Sequence, residues 1–131
     1  MSDEERPAAA PVQVIAMTGD TAEALQQLAA SLGLDGVRID LEGCTDKAGL
    51  LARTAQALAF PAWFGGNWDA FYDCLADLDW RETTGWLLVF ENTGDLRRHA
   101  PEALDTAVAI LGDVAAAWAA RGQVFRAFVA A

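Results

Sequence analysis

Three aspartates at intervals of four residues are the side chains of this sequence best suited to chemistry or binding. A helix would place Asp69, Asp73 and Asp77 on one face, where their like charges repel one another. No lysine or arginine lies between Arg53 and Arg81 to relieve that repulsion. Because helix stability alone would not select this arrangement, the stripe predicts a surface that a cationic partner covers.

The acidic stripe has three interpretations: a solvated helix face, a divalent-metal site, or a protein-recognition surface. A solvated face is the ordinary role of such residues, but the compensating lysines are missing. A metal site would have only monodentate carboxylates from one helix, without the loop ligands of a calcium site. Trp63 and Phe64 before the helix, and Tyr72 at the border of its acidic face, supply aromatic anchors that favour recognition. A metal-dependent enzyme that uses Asp69 and Asp73 remains the alternative from another class.

Other catalytic chemistry has few residues to draw on. His99 is the only histidine and is predicted in a solvated loop beside Arg97 and Arg98, so catalytic triads and histidine metal sites fit poorly. The sequence has neither a G-x-S-x-G elbow nor a phosphate-binding glycine loop. No cofactor is therefore predicted.

The overall charge indicates the kind of partner. The 131 residues carry a formal net charge of -10, which argues against nucleic acid and anionic membranes, since binding to either needs clustered lysine and arginine. Cys44 and Cys74 match no disulfide framework, zinc spacing or CxxC motif. The acidic N-terminus lacks the basic region of a signal peptide, and no apolar run is predicted to span a membrane. We therefore expect a cytoplasmic protein with a basic partner.

Alternating strand and helix patterns predict an α/β fold with a parallel sheet. Residues 1–11, charged and then rich in alanine and proline, are predicted to be a mobile tail before a single domain over 12–131. The predicted strands are residues 12–17, 36–41, 86–91 and 123–129. The run at 86–91 is apolar throughout, which is typical of a strand buried on both faces.

The predicted helices have recognisable ends. Asp20 with Glu23 suggests a capping box for the first helix, and Thr45 or Asp46 suits the start of the second. The third helix begins after Asn67 and carries the acidic stripe opposite an apolar one. That apolar stripe consists of Trp68, Phe71, Tyr72 and Leu75. A fourth, long helix is predicted from Pro101 to the glycine at position 122.

The segment FPAWFGGNWDAFYDCL at residues 60–75 closely resembles the central segment of the barstar family, the intracellular inhibitors of ribonucleases such as barnase. The order of elements agrees from about residue 36 to the C-terminus. The resemblance implies a small three-stranded parallel sheet packed with helices, with residues 36–131 as the family core. Residues 12–34 would be an N-terminal addition that can supply one further strand and helix.

The resemblance also implies roles for individual residues. The helix bearing Asp69 and Asp73, with the loop before it, would occlude the active site of a basic ribonuclease. Asp73 would occupy a phosphate-binding pocket and Asp69 would pair with a basic active-site residue. Trp63 would stand where a tyrosine packs on the catalytic histidine, and Tyr72 would replace a tryptophan. The implied partner-binding positions are Trp63, Phe64, Gly65, Asn67, Trp68, Asp69, Tyr72, Asp73 and Ala76.

The sequence departs from the family pattern at further positions. Ala76 replaces a contacting threonine, Asp77 a glycine, and Ala117 a glutamate that touches the enzyme. The resemblance implies a non-catalytic inhibitor, or immunity protein, of an extracellular or toxin ribonuclease of the barnase type, monomeric when free. A general protein-interaction module on the same fold is a further alternative.

Overall fold

A computed structural model of the chain describes residues 10–61, 64–77 and 84–131. Most of the predicted mobile tail, residues 1–9, lies outside this part. Pro11, the last residue of the predicted tail, contacts the domain, because its carbonyl accepts a hydrogen bond from the Ala127 amide at 2.9 Å. The described strands are β1 (Val12–Ile15), β2 (Asp35–Asp40), β3 (Gly85–Glu91) and β4 (Val124–Ala130). The described helices are α1 (Gly19–Ser31), α2 (Lys47–Leu58), α3 (Trp68–Ala76), α4 (Gly94–His99) and α5 (Pro101–Ala120).

The strands form one parallel sheet in the order β1-β4-β3-β2, which confirms the predicted α/β fold. The sheet has four strands rather than the family's three, because β1 pairs with β4 at one edge. β1 and α1 are thus the further strand and helix that residues 12–34 were expected to supply. The apolar run in β3 is buried from Gly85 to Phe90, as its composition predicts for an inner strand.

Helix caps fix where the helices begin. Asp46 and Asn67 cap α2 and α3 as predicted. The capping box predicted for α1, Asp20 with Glu23, is wrong. Thr18 caps this helix in a reciprocal capping box with Thr21. Asp20 instead lies in the first turn of α1, where the helix dipole stabilises its negative charge.

The residues before the long helix also differ from expectation. His99 ends the short helix α4 rather than lying in a loop. α4 begins after Thr93, which is buried and donates its hydroxyl to the Ala130 carbonyl at 2.8 Å. The bond ties this helix to the end of β4. His99 itself is exposed, as the sequence predicts.

The two faces of the sheet have unequal cores. On one face, side chains of α2, α3 and α5 pack with those of the sheet into a large apolar core. Its largest fully buried members include Trp86, Trp118 and Phe71. On the other face, α1 covers β2 and β3 through a small cluster built from Ala22, Ala29, Leu87 and Val89.

α5 is the central helix of the larger core. Within the described residues it alone is long and apolar enough to cross a membrane, judged by length and composition. The prediction that the sequence has no apolar run of the length and composition of a membrane span is therefore wrong. Leu104, Leu111 and Trp118 of α5 are buried against the sheet and its neighbouring helices, so the hydropathy is explained by core packing.

Candidate functional site

Local contacts and a helix cap hold the loop that leads into α3. The Phe64 amide donates to the Pro61 carbonyl at 3.0 Å, and the Phe64 ring meets Phe60 edge to face at 5.1 Å. Gly66 has a φ of 70°, a conformation that favours glycine. The exposed Asn67 then caps α3, its Oδ1 accepting the Ala70 amide at 2.7 Å.

The inner face of α3 is anchored to α5. Its buried residues are Phe71, Cys74 and Leu75. Trp118 Nε1 donates to the Leu75 carbonyl at 3.0 Å, and the Arg121 guanidinium donates to the Ala76 carbonyl at 2.9 Å while lying 4.6 Å from the Trp118 ring. These bonds satisfy carbonyls that a helix C-terminus otherwise leaves unpaired. The outer face of α3 is therefore held in a fixed position relative to α5.

That outer face contributes to a shallow depression between α3 and α5, with a volume of about 460 Å³. Its lining residues are Trp68, Asp69, Tyr72, Asp73, Ile110 and Asp113. Asp69 and Asp73 are exposed, whereas Trp68 and Tyr72 are half-buried. The depression therefore places solvent-exposed carboxylates beside aromatic and aliphatic side chains.

Neither exposed aspartate of α3 is neutralised by a neighbour in the described part of the chain. The ion pairs found there join Arg38 to Glu91 and Arg98 to Asp95. Asp69 and Asp73 thus keep their charge available to a partner. This agrees with the interpretation of the stripe as a surface for a cationic molecule.

Folding does bring two cations to the ends of α3, which the local sequence does not indicate. Arg121 binds the carbonyl at the C-terminal end. At the N-terminal end, Lys47 Nζ lies 5.1 Å from the centroid of the Trp68 ring, a cation–π contact. Lys47 is the only lysine of the chain. The acidic surface therefore has a positive charge at its N-terminal edge.

The cysteines are poorly suited to nucleophilic chemistry. Both are free and buried. Burial raises the pKa of the Cys74 thiol, and the nearby carboxylates of Asp73 and Asp77 raise it further. Burial likewise raises the pKa of Cys44. Both thiols therefore stay protonated at neutral pH, and the protonated form is not the nucleophile.

The metal-site alternative gains no ligand set from the fold. Among residues 10–61, 64–77 and 84–131, no group of three or more histidine, cysteine, aspartate or glutamate side chains is placed to hold an ion. Asp69 and Asp73 come from one helix, and the third carboxylate in the depression, Asp113, does not complete such a group.

The structure brings together only some of the residues singled out in the sequence. Those that line the depression are Trp68, Asp69, Tyr72 and Asp73. Those in the preceding loop and cap are Phe64, Gly65 and Asn67. Ala76 lies at the far end of α3, outside the depression, with its carbonyl bound to Arg121. Trp63 lies outside the described residues.

Lys47, Ile110 and Asp113 are the site residues that the sequence did not reveal. They come from α2 and α5, and only tertiary packing places them beside α3. One signal was present for Asp113: it is the only charged residue between Asp105 and Arg121, in an otherwise uncharged stretch of α5.

The comparisons with known proteins agree with this fold. A family model described as Barstar (barnase inhibitor) matches residues 34–130, and the chain therefore belongs to the barstar family. The match confirms the resemblance seen in the sequence. It includes β2, β3, β4 and helices α2 to α5, and β1 and α1 precede it. A search of curated proteins finds no match.

Proposed function

We propose that this protein is an inhibitor of a basic ribonuclease of the barnase type and that the outer face of α3 covers the active site of the enzyme. The observation that carries the proposal is a pair of exposed aspartates, Asp69 and Asp73, that form no ion pair within the described residues and lie on a helix of the barstar family core. The protein itself would catalyse nothing, because occlusion requires only binding.

The chemistry of occlusion follows from the charge of the nuclease active site. A ribonuclease binds RNA phosphates through cationic side chains, and a carboxylate presents similar charged acceptor oxygens to them. Asp73 would take the place of a substrate phosphate, and Asp69 would pair with a second basic group. Trp68 and Tyr72, with Phe64, Gly65 and Asn67 of the loop and cap, would exclude water around these pairs and so strengthen them.

The setting of the protein is part of the same proposal. An inhibitor that protects the producing cell from its own secreted or toxin nuclease would act in the cytoplasm. Free, buried thiols at Cys44 and Cys74 suit that reducing compartment. The net charge of -10 would attract a basic enzyme and keep the free inhibitor soluble. We expect the free protein to be a monomer.

The test is the residual activity of barnase against RNA, titrated with the unsubstituted protein and with Asp73→Asn. The amide keeps the shape of the side chain and removes its charge, which leaves cations of the enzyme desolvated and unpaired. Loss of one partner of such a pair typically costs about 2–5 kcal/mol of binding or more. Inhibition should therefore weaken by orders of magnitude, with the free energy of unfolding preserved.

The matched control is Asp77→Asn. It removes the same charge one helical turn further on, at the C-cap of α3 and outside the lining of the depression. It should reduce inhibition only through the weaker long-range field. Equal inhibition by Asp73→Asn and the unsubstituted protein would mean that Asp73 does not enter the active site, and no inhibition by the unsubstituted protein would exclude barnase as a target.

A further inference from the structure

A second concave surface, the α1–β4 groove, lies on the side of the sheet that faces away from α3. It has a volume of about 390 Å³. Leu28, Leu32 and Val124, which are three of the four large apolar residues exposed in the described part of the chain, all contribute to it. Such a concentration of exposed apolar side chains is typical of a binding surface. The lining of the groove includes Leu28, Leu32, Leu87, Val124, Arg126 and Phe128.

The groove follows from the position of α1, which lies over β2 and β3. Alternate residues of β4 face the larger core, so Val124, Arg126 and Phe128 face the other side, next to α1. The described helices leave much of β4 and of its edge neighbour β1 open there. Two adjacent strands are together roughly 10 Å wide, which is the diameter of one helix. Because parallel sheets are normally covered by helices on both faces, this open surface has the width of one further helix.

Arg126 determines which charge the groove attracts. It lies between Val124 and Phe128 along β4, and its register partner on β3 is the buried Leu87. The half-buried guanidinium forms no ion pair or hydrogen bond with a described residue. A cation among apolar side chains is partly shielded from water, so it attracts a carboxylate more strongly than an exposed cation does. The groove therefore favours a molecule that has an apolar surface and a negative group.

A second copy of this chain matches that chemistry poorly. In a twofold contact centred on the groove, the two Arg126 side chains would face each other. Each copy also carries a net charge of -10. An amphipathic helix matches both features of the groove: its apolar residues, spaced i, i+3, i+4 and i+7, would pack on Leu28, Leu32 and Phe128. A carboxylate on the same helix face would bind the guanidinium of Arg126.

We propose that the α1–β4 groove binds an amphipathic helix of another protein, with a glutamate of that helix paired to Arg126. The inference goes beyond the proposed inhibition of a nuclease and does not depend on it. The wall of the groove that α1 forms precedes residues 34–130, the part of the chain that the family model matches. Because the groove faces away from α3, this helix and a nuclease would occupy separate surfaces.

The experiment uses two synthetic helical peptides as probes, each about 18 residues long with leucines at i, i+3, i+4 and i+7. They differ at one position in the middle of the leucine face, which is glutamate in one peptide and lysine in the other. Fluorescence anisotropy titrations give the dissociation constant of each peptide for the full chain. The glutamate peptide should bind at least about fivefold more tightly, although the net charge of -10 would favour the lysine peptide.

Charge variants test the role of Arg126. Arg126→Gln should abolish the preference for the glutamate peptide, and Arg126→Glu should reverse it, because a carboxylate in the groove attracts lysine. Arg53→Glu is the matched control, since it makes the same change of charge on α2, where Arg53 binds the Asp40 carbonyl. It should leave the preference for the glutamate peptide in place. Urea unfolding midpoints of all variants are measured alongside.

Apolar variants test the location of the binding surface. Leu32→Ser should weaken binding of the glutamate peptide by about fivefold or more, because the leucine side chain is 61% exposed and packs on the occupant. Val14→Ser is the control: this valine is 49% exposed but lies on β1 outside the lining of the groove. It should change binding by less than about twofold.

Several results would overturn the inference. These are the absence of saturable binding by the glutamate peptide, equal or tighter binding by the lysine peptide, and equal losses from Leu32→Ser and Val14→Ser. Sedimentation of the unsubstituted protein as a dimer that Leu32→Ser dissociates would assign the groove to a second copy instead. None of these measurements involves a nuclease, so the proposed function stands or fails separately.

Discussion

The two faces of the sheet differ in how completely helices cover them. On the face that carries α3 and α5, the family core is filled with large side chains, and the helices are joined by hydrogen bonds from Trp118 and Arg121. On the other face, α1 packs on the sheet through its own small residues Ala22 and Ala29. A Cβ at Gly36 would lie only 2.8 Å from that of Ala29, so this close approach requires glycine. Leu28 and Leu32 at its margin remain 46% and 61% exposed.

The larger core lies beneath the surface proposed for recognition. The acidic face of α3 gains precision from the large core beneath it, whereas α1 precedes the family match and covers only part of its face. The proposed recognition surface and the larger core therefore lie on the same side of the sheet. Substitutions on the two sides should have correspondingly different effects.

The largest expected effect is on stability, from Leu75→Ala in α3. Leu75 is fully buried in the large core, so truncation leaves a cavity and should lower the free energy of unfolding by about 2–5 kcal/mol. Urea denaturation measures the change. The same truncation at the exposed Leu32 is the control and should cost less than about 0.5 kcal/mol. Equal losses at the two positions would contradict the contrast between the faces.

The next largest effect concerns the rate of association with barnase. Steering by a net charge of -10 and by the exposed aspartates of α3, Asp69 and Asp73, should accelerate encounter by roughly 10–10³-fold at low ionic strength. Added salt should remove most of this gain, with a much smaller change in dissociation. Stopped-flow mixing over a range of sodium chloride concentrations measures both rates. An association rate independent of salt would argue against electrostatic recognition.

A smaller effect is expected from Lys47, the cation at the edge of the acidic surface. Lys47→Gln removes a positive charge that would repel a basic enzyme and releases the face of the Trp68 ring. Association should become faster by about twofold, the size typical of one peripheral charge. Arg53→Gln on the same helix is a control of equal charge, because the Arg53 side chain binds the Asp40 carbonyl rather than the Trp68 ring. An identical gain from both variants would assign the effect to net charge alone.

The smallest effect is predicted for the stability of Asp73→Ala. Its side chain is exposed on the outer face of α3, and its removal relieves repulsion from Asp69 and Asp77 at the i±4 positions. We expect the free energy of unfolding to stay within about 0.5 kcal/mol of the unsubstituted value or to rise slightly. Denaturant unfolding measures this. A loss comparable to that of Leu75→Ala would place Asp73 in a structural network and remove it from the recognition surface.

The sequence predicted those parts of the fold and site that depend on neighbouring residues. The Asn67 cap, the two faces of α3 and the buried strand β3 follow from short-range spacing, and each is found in the structure. The start of α1 was predicted wrongly because Asp20 with Glu23 has the same spacing as the true capping pair, Thr18 with Thr21.

The residues missed in the site share a physical reason. Lys47 and Asp113 are distant from α3 in the sequence and reach it only through packing of α2 and α5 against the same core. Local periodicity carries no information about which helices become neighbours. It could show that Asp69 and Asp73 share a face but not that α5 completes a concave surface beside them.

The central claim, that the outer face of α3 occupies the nuclease active site, is tested most directly by competition with an active-site ligand. The affinity of the unsubstituted protein for barnase is measured by calorimetry without and with a saturating mononucleotide product of RNA cleavage. We expect the apparent affinity to fall in proportion to nucleotide occupancy, because the carboxylates and the phosphate require the same pocket. An unchanged affinity, with a ternary complex of enzyme, nucleotide and inhibitor, would contradict the claim.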